Sequence, residues 1–259
     1  MDFEETLFSH TYIERLNLKR PHSYFKGFLC LSKHSFSDFK EKRIKFLHPI
    51  ELSYFESLAF ERRQKSYLLG RYCAKQAIAA YLNEADMNQF LIKHGVFEQP
   101  IVQHSSDKNI QVSISHSDEW GGAIAFPEEH PMAIDLEKID PDKKKTIRTQ
   151  CTPEELGLIK SLPTSTIDQL TIIWTVKEAL SKVLKCGFMS PFSIFEVQDV
   201  KFAEDYWLWT FKNFAQYKAI SFIIGEIACS IIMPKRTDVI LDIKDMNKQI
   251  GYSNPRGKE

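Results

Sequence analysis

Three short stretches of this chain carry side chains whose types and spacing suit shared chemistry: Val112-Ser-Ile-Ser-His-Ser117, Ala133-Ile-Asp-Leu-Glu137 and Trp174-Thr-Val-Lys-Glu-Ala-Leu-Ser-Lys182. On a strand, residues i and i+2 point to the same side, so Asp135 and Glu137 bring two carboxylates together. Like charges held side by side favour a divalent cation between them, and hard oxygen ligands select Mg²⁺, which keeps waters and shares its shell with phosphates. Taken alone, Asp-x-Glu is a solvated strand end. Glu178 and Lys182 have the i, i+4 spacing of a helix-surface ion pair, worth about 0.2–0.5 kcal/mol. Trp174, one turn before Glu178, sets a large apolar body on the same stripe and draws the pair toward a packed interior, whereas Lys177 points about a quarter-turn away. Ser115, His116 and Ser117 put three donors at a strand terminus, which suits an anionic oxygen. Arg62, Arg63, Lys65 and Arg71 form a helix-borne basic cluster, a solvated face unless a phosphate site lies beside it. Together these groups could hold a phosphate ester on a divalent cation and move protons around it.

The elements that must position them follow from periodicity. Phe25–Leu31 reads as an early strand, and Ser53–Leu82 as helix, with Leu69, Cys73, Ala77 and Ala80 on one face. Asn109–Ser115 alternates with the strand period and Gly121–Phe126 returns after a short turn. Pro127-Glu-Glu-His-Pro131 is a turn cluster and the candidate hinge between two halves. Met132–Leu136 is a third strand and Lys138–Lys145 a charged linker. Thr152-Pro-Glu-Glu155 is a helix start, with a capping hydroxyl, Pro at the first helical position and Glu at the third. Helix runs again through Ile167–Leu184 to a stop at Gly187. Phe195–Val200, Tyr206–Phe211 and Tyr217–Met233 alternate like antiparallel strands, no repeat of solenoid period is visible, and the tail after Asp245 is polar and loose.

Composition limits the function classes. A length of 259 residues accommodates one large domain or two small ones. Lys plus Arg equals Asp plus Glu at 34 each, so the basic footprint of a duplex-binding protein is missing and no nucleic-acid partner is expected. Asp2, Glu4 and Glu5 stand where a secretory signal is positive, and Glu226 interrupts the apolar stretch Ala219–Met233, so no membrane association is expected. The five cysteines are scattered and never in Cys-x-x-Cys spacing, which points to a reducing cytoplasm rather than a disulfide framework or zinc site.

In order and spacing, the Arg-rich helix, Ser-His-Ser, Asp-x-Glu, Thr-x-x-Glu and Trp-Thr-x-Lys-Glu-Ala-x-x-Lys closely resemble the 4′-phosphopantetheinyl transferases, specifically the two-lobed class that activates peptide synthetases, polyketide synthases and fatty-acid carrier proteins. The resemblance runs from about Arg62 to Phe195, and Trp174–Lys182 fits the pattern at every defining position. It implies an α/β (α+β) fold of two similar lobes related by a pseudo-twofold, each a small antiparallel sheet packed with helices, with the active site in the cleft between them. The lobes are expected over 1–127 and 128–245, the second carrying the metal site, with a polar tail over 246–259. The implied reaction is Mg²⁺-dependent transfer of the 4′-phosphopantetheine arm of coenzyme A to a serine of an apo acyl or peptidyl carrier protein, releasing adenosine 3′,5′-bisphosphate. The protein is expected to act as a monomer.

Carried over by position, Asp135, Glu137 and Glu178 look like the Mg²⁺ carboxylates, and His116 with Ser115 like the contacts to the coenzyme's phosphates. Arg62 and Arg71 sit where the family places cations near the 3′-phosphate and pyrophosphate, and Lys177 joins that coenzyme-binding set. Glu155 matches the glutamate after the linker and Lys182 the lysine near the scissile phosphate; Glu178 or Glu155 takes the serine proton. The chain departs from the family at Ala133, where Gly is usual; at Glu98-Gln99-Pro100, where Gly-Lys-Pro is common and a cation is lost; and at Cys151, where an aromatic is common. Two rivals stand beside this reading. Asp-x-Glu followed by Lys138 also resembles a nuclease metal site, and a catalytically degenerate relative that only binds carrier proteins would keep much of the pattern.

Overall fold

The computed structural model describes residues 10–105, 109–186, 190–203 and 205–251. The chain opens with a hairpin, β1 (Thr11–Arg20) against β2 (Ser23–Lys33), and continues through α1 (Phe36–Lys42), α2 (Pro49–Ser57) and α3 (Glu61–Leu82). The single helix expected over Ser53–Leu82 is therefore two, because Leu58 and Phe60 adopt extended backbone between them. Asn83 ends α3 in the left-handed region at φ 59°, a helix stop that asparagine tolerates. A ribbon of β3 (Leu91–His94) and β4 (Pro100–Gln103) precedes the hairpin β5 (Ile110–Ser117) and β6 (Trp120–Pro127). The first sheet is antiparallel in the order β1-β2-β6-β5.

The second half repeats that plan. After β7 (Ala133–Lys138) come α4 (Lys144–Arg148), α5 (Pro153–Ile159) and the long α6 (Thr166–Val183). Strands β8 (Val197–Ala203), β9 (Tyr206–Phe211), β10 (Tyr217–Ile224) and β11 (Ile227–Pro234) then complete an antiparallel sheet in the order β7-β11-β10-β9-β8. In each lobe a leading strand is followed by short helices, one long helix and a ribbon, and a terminal hairpin returns its last strand to the leading one. The expected α6 stop at Gly187 lies outside the described residues; Leu184 is the C-cap. The charged linker is not free chain, since Pro141–Lys143 forms a 3₁₀ turn that runs into α4.

The layers are helix, sheet, sheet, helix. Each long helix packs on the outer face of its own sheet, around Tyr72, Ile78 and Val112 in the first lobe and Ile173, Val176 and Trp209 in the second. Between the sheets, Leu29, Trp120 and Ile124 meet Ile134, Leu136, Phe222 and Ile231 in a shared core. Gly121 and Gly122 permit both contacts to β6: a Cβ at Gly121 would stand 2.7 Å from Leu69 and Cys73 of α3, and one at Gly122 2.7 Å from Leu136 of β7. The Pro127–Pro131 turn carries the chain from one sheet to the other, with His130 fully buried and its Nε2 2.8 Å from Thr237 Oγ1. A loose tail beginning after Asp245 is corrected by α7 (Ile243–Gln249), whose Met246, with Ile250 just beyond, closes the inter-sheet core; the apolar spacing is that of one helical turn. Among the described residues no helix is long and apolar enough to cross a membrane.

Candidate active site

Strands β5 and β7 are the outer strands of their sheets and lie against each other, yet they are joined through side chains. The backbone N–H groups of Ile134, Leu136 and Lys138 donate to the hydroxyls of Ser113, Ser115 and Ser117 at 3.1, 3.1 and 2.9 Å. The strand period turns all three serines toward β7. Ser115 Oγ in turn donates to Asp135 Oδ1 at 2.8 Å. Lys182 reaches this seam from α6, its Nζ donating to Ile114 O and Ile134 O at 3.1 Å each and to Asp135 Oδ1 at 2.7 Å. All three ammonium protons are thereby used. The ion pair of Lys182 therefore runs across the seam to Asp135, not along the helix to Glu178.

Glu178, one turn before Lys182, is the unsatisfied member of the group. Its Oε1 is buried without a hydrogen-bond partner, and its carboxyl is pushed up to about 7 by burial and by Asp135 and Glu137, partly offset by Lys182. Burial also raises the Glu137 carboxyl, with Lys143 pairing to it in opposition and Asp135 adding to the rise. Two buried carboxyls, each raised by burial and then by a neighbouring carboxylate, mark a space short of positive charge. The fit to a divalent cation rests on this deficit, on the orphaned Glu178 oxygen and on an all-oxygen donor set. As the side chains stand, no three His, Cys, Asp or Glu groups among the described residues are arranged to hold a metal ion, because the ammonium groups of Lys182 and Lys143 lie on Asp135 and Glu137.

The other sequence-derived residues separate into two groups. His116 presents an exposed edge beside the seam; the protein around it and then Lys182 disfavour its charged form and lower its pKa, against Asp135. Arg63 acts on the same ring, and Arg62 is exposed at the start of α3. Arg71 differs from the expectation of a cation presented to a ligand: it is turned into the first lobe, with Nε 3.5 Å from Glu51 Oε1, Nη2 3.2 Å from His94 Nε2 and its guanidinium 4.8 Å over the Tyr67 ring. Glu155 and Lys177 are also interior. Glu155 Oε2 accepts from Lys177 Nζ at 2.9 Å and Thr152 N at 2.8 Å, its Oε1 accepts from Val197 N at 3.0 Å, and Lys177 also donates to Gln150 O at 2.9 Å.

Beside Lys182 a cavity of about 260 Å³ opens between Gln99 and Pro100, Ile114, Met132 and Lys185. Gln99 turns its Oε1 back to accept from Phe97 N at 2.9 Å, and Glu98 occupies the left-handed region at φ 61°. Sequence reasoning missed Lys143, hidden in a charged run, and the joining role of Ser113 and Ser117, which the Ser-x-Ser-x-Ser alternation on a strand does signal.

With this geometry in view, the family model and the related sequences point to one superfamily. The model of the 4′-phosphopantetheinyl transferase superfamily matches residues 131–231. A holo-[acyl-carrier-protein] synthase of Mycoplasma mycoides subsp. mycoides is 34% identical over 88 residues, which cover 34% of this chain and 78% of that protein. The 4′-phosphopantetheinyl transferase gsp of Aneurinibacillus migulanus is 29% identical over 129 residues, 49% of this chain; the match spans about half of that relative, 52%. Among solved structures, a holo-(acyl-carrier-protein) synthase from Bacillus anthracis str. Ames superposes with a TM-score of 0.34 at 15% identity, covering 44% of this chain and 97% of that one.

Proposed function

This chain belongs to the 4′-phosphopantetheinyl transferase superfamily, and on that premise we propose that it transfers the 4′-phosphopantetheine arm of coenzyme A to a serine of an apo carrier protein. The observation that carries this reading is the cluster at the seam: Glu178 with an unpartnered buried oxygen, its carboxyl raised by burial and then by Asp135 and Glu137, beside a lysine fixed on Asp135. Asp135, Glu137 and Glu178 would hold Mg²⁺. Bound there, the cation supplies Lewis-acid neutralisation of a pyrophosphate.

The residues of the chain have separate tasks. The serine oxygen of the carrier protein attacks the phosphorus bearing the pantetheine arm, and the bond from that phosphorus to the bridging pyrophosphate oxygen breaks, so that adenosine 3′,5′-bisphosphate leaves with the electron pair. Glu178 takes the serine proton on its buried oxygen, which has no hydrogen-bond partner. Lys182 meets the charge that grows on the leaving phosphate, and Ser115 holds Asp135 in place from below. His116 and Arg63 line the approach for an anionic ligand. The cavity bounded by Gln99, Ile114 and Lys185 receives a neighbouring part of the coenzyme. Little covalent work falls to the protein, which acts by positioning and electrostatics.

Intact-mass measurement of an apo carrier protein incubated with coenzyme A and Mg²⁺ tests the reading. A serine-borne mass increase equal to phosphopantetheine is expected. Binding of the carrier protein without that increase would point to the degenerate relative, and cleavage of DNA or RNA with no transfer to the nuclease.

A further inference from the structure

We infer that Glu155 and Lys177 are a scaffold staple duplicated in the two lobes, fixing the roll of α6 without touching coenzyme or the reacting serine. The inference rests on the active site proposed above and settles which of its glutamates takes the proton. In the first lobe, His48-Pro-Ile-Glu-Leu52 begins α2 with a capping box in which Glu51 Oε2 accepts from His48 N at 2.9 Å. In the second, Thr152-Pro-Glu-Glu-Leu156 begins α5 with the same box, Glu155 Oε2 accepting from Thr152 N at 2.8 Å. The same oxygen takes a lysine from the lobe's long helix, Lys75 of α3 at 2.6 Å and Lys177 of α6 at 2.9 Å. The other oxygen takes a backbone N–H from the strand that follows, Ile92 of β3 and Val197 of β8, both at 3.0 Å. Side-chain exposure is 0% and 2% for Lys75 and Glu51, and 1% and 0% for Lys177 and Glu155.

The lobes also show what was not duplicated. Both terminal hairpins turn over two residues, Asp118-Glu119 at φ 57° for the first and Gly225-Glu226 at φ 55° for the second. Counting from those turns, Gly122 pairs with Leu31 where Cys229 pairs with Leu136, so Cys30 and Ser32 stand at the positions of Asp135 and Glu137. On the long helices Gln76 follows Lys75 as Glu178 follows Lys177, and Ala80 stands where Lys182 does. All four groups assigned to metal, proton and phosphate are replaced in the first lobe, while the Glu–Lys pair is kept there. A feature common to both lobes serves what they share, the clamping of a short helix, a long helix and a strand. Every oxygen of Glu155 is occupied and solvent does not reach it, so a docked serine has no path to it.

The test compares the staples with each other. Glu51→Gln and Glu155→Gln should both lower the urea midpoint, because each leaves a buried lysine uncompensated, with the larger loss at Glu51, which also faces Arg71. A double variant, Glu155→Met with Lys177→Met, replaces the pair by apolar groups of similar length and should recover most of the midpoint. Its kcat on apo carrier protein should remain within about threefold of wild type with an unshifted pH profile. A folded double variant that loses kcat by about a hundredfold or more, or loses one limb of the pH profile, would overturn the inference. The midpoints also judge it separately from the proposed reaction: if the wild type transfers nothing, that reading fails, whereas a midpoint loss in Glu51→Gln with none in Glu155→Gln sinks the staple.

Discussion

Lys182 and Asp135 meet across the boundary between the two sheets, Nζ to Oδ1 at 2.7 Å, although 47 residues separate them in the chain. The same ammonium binds one carbonyl from each sheet's outer strand, so the residue assigned to the leaving phosphate also ties the lobes together.

Lys182→Ala should therefore cost both activity and stability. Removing one charged contact to the transition state predicts a loss of about a hundredfold or more in kcat. Leaving Asp135, with 8% of its side chain exposed, without its cation predicts about 1–3 kcal/mol of lost stability. Single-turnover transfer and urea unfolding of the same preparation check both. A variant that keeps wild-type kcat would return Lys182 to a purely structural part.

Glu178→Gln should abolish transfer and yet stabilise the metal-free protein. The folded carboxyl, raised to about 7 by burial and neighbouring carboxylates, binds its proton more tightly than the unfolded one. The wild type is thus fully stable only while Glu178 is protonated and loses that contribution as pH climbs toward and through 7. Melting in EDTA should show the variant gaining on the wild type from pH 5 to pH 8; a gain that is flat with pH would contradict the assigned burial.

His34 and His130 should act in the opposite sense. Burial, joined for His34 by His10 and for His130 by Arg20, lowers both rings to about 4. The unfolded chain takes up protons near 6.5 and the folded one does not, so stability falls as pH drops from about 6.5 toward 4, by at most about 3 kcal/mol per ring. NMR titration should find both rings neutral at pH 5.5 and charged only as pH falls toward 4; a ring already charged at pH 5.5 would contradict its burial.

Gln99→Lys should tighten coenzyme A more than dephospho-coenzyme A. Gln99 lines the cavity beside Lys182, and its amide is spent on the Phe97 N–H instead of on a ligand. A lysine there would add a cation able to make a charge-assisted bond to a phosphate in that cavity. Equal gains for both ligands in titration calorimetry would show that position 99 does not face the 3′-phosphate.

The meeting of Asp135, Glu137, Glu178 and Lys182 was legible because they lie in two short segments whose spacing depends only on strand and helix periods. What Lys182 pairs with was not, because a local i, i+4 partner is visible in sequence and a partner on another strand is not. Strand β1 escaped notice since Glu14, Arg15, Lys19 and Arg20 give it the polarity of an edge, where only one flank needs a neighbour. The duplication was written in His48-Pro-Ile-Glu and Thr152-Pro-Glu-Glu, but about a hundred residues apart, well beyond the periods of solenoid repeats. Lys143 looked like linker because a run of lysines shows no reason to prefer one of them, and Glu137 supplies that reason only in three dimensions.

The serines between β5 and β7 bear on why the pocket for chemistry exists at all. Had the two strands zipped into an ordinary ladder, a continuous nine-stranded sheet would run through the molecule, and carbonyls such as Ile114 O and Ile134 O would be consumed by facing amides. By lending hydroxyls to one strand's amides, Ser113, Ser115 and Ser117 leave those carbonyls free for an ammonium group. The gap between the two sheets is thus what gives the Lys182 ammonium a place to bind, and replacing the three serines would take away the groups that hold it open.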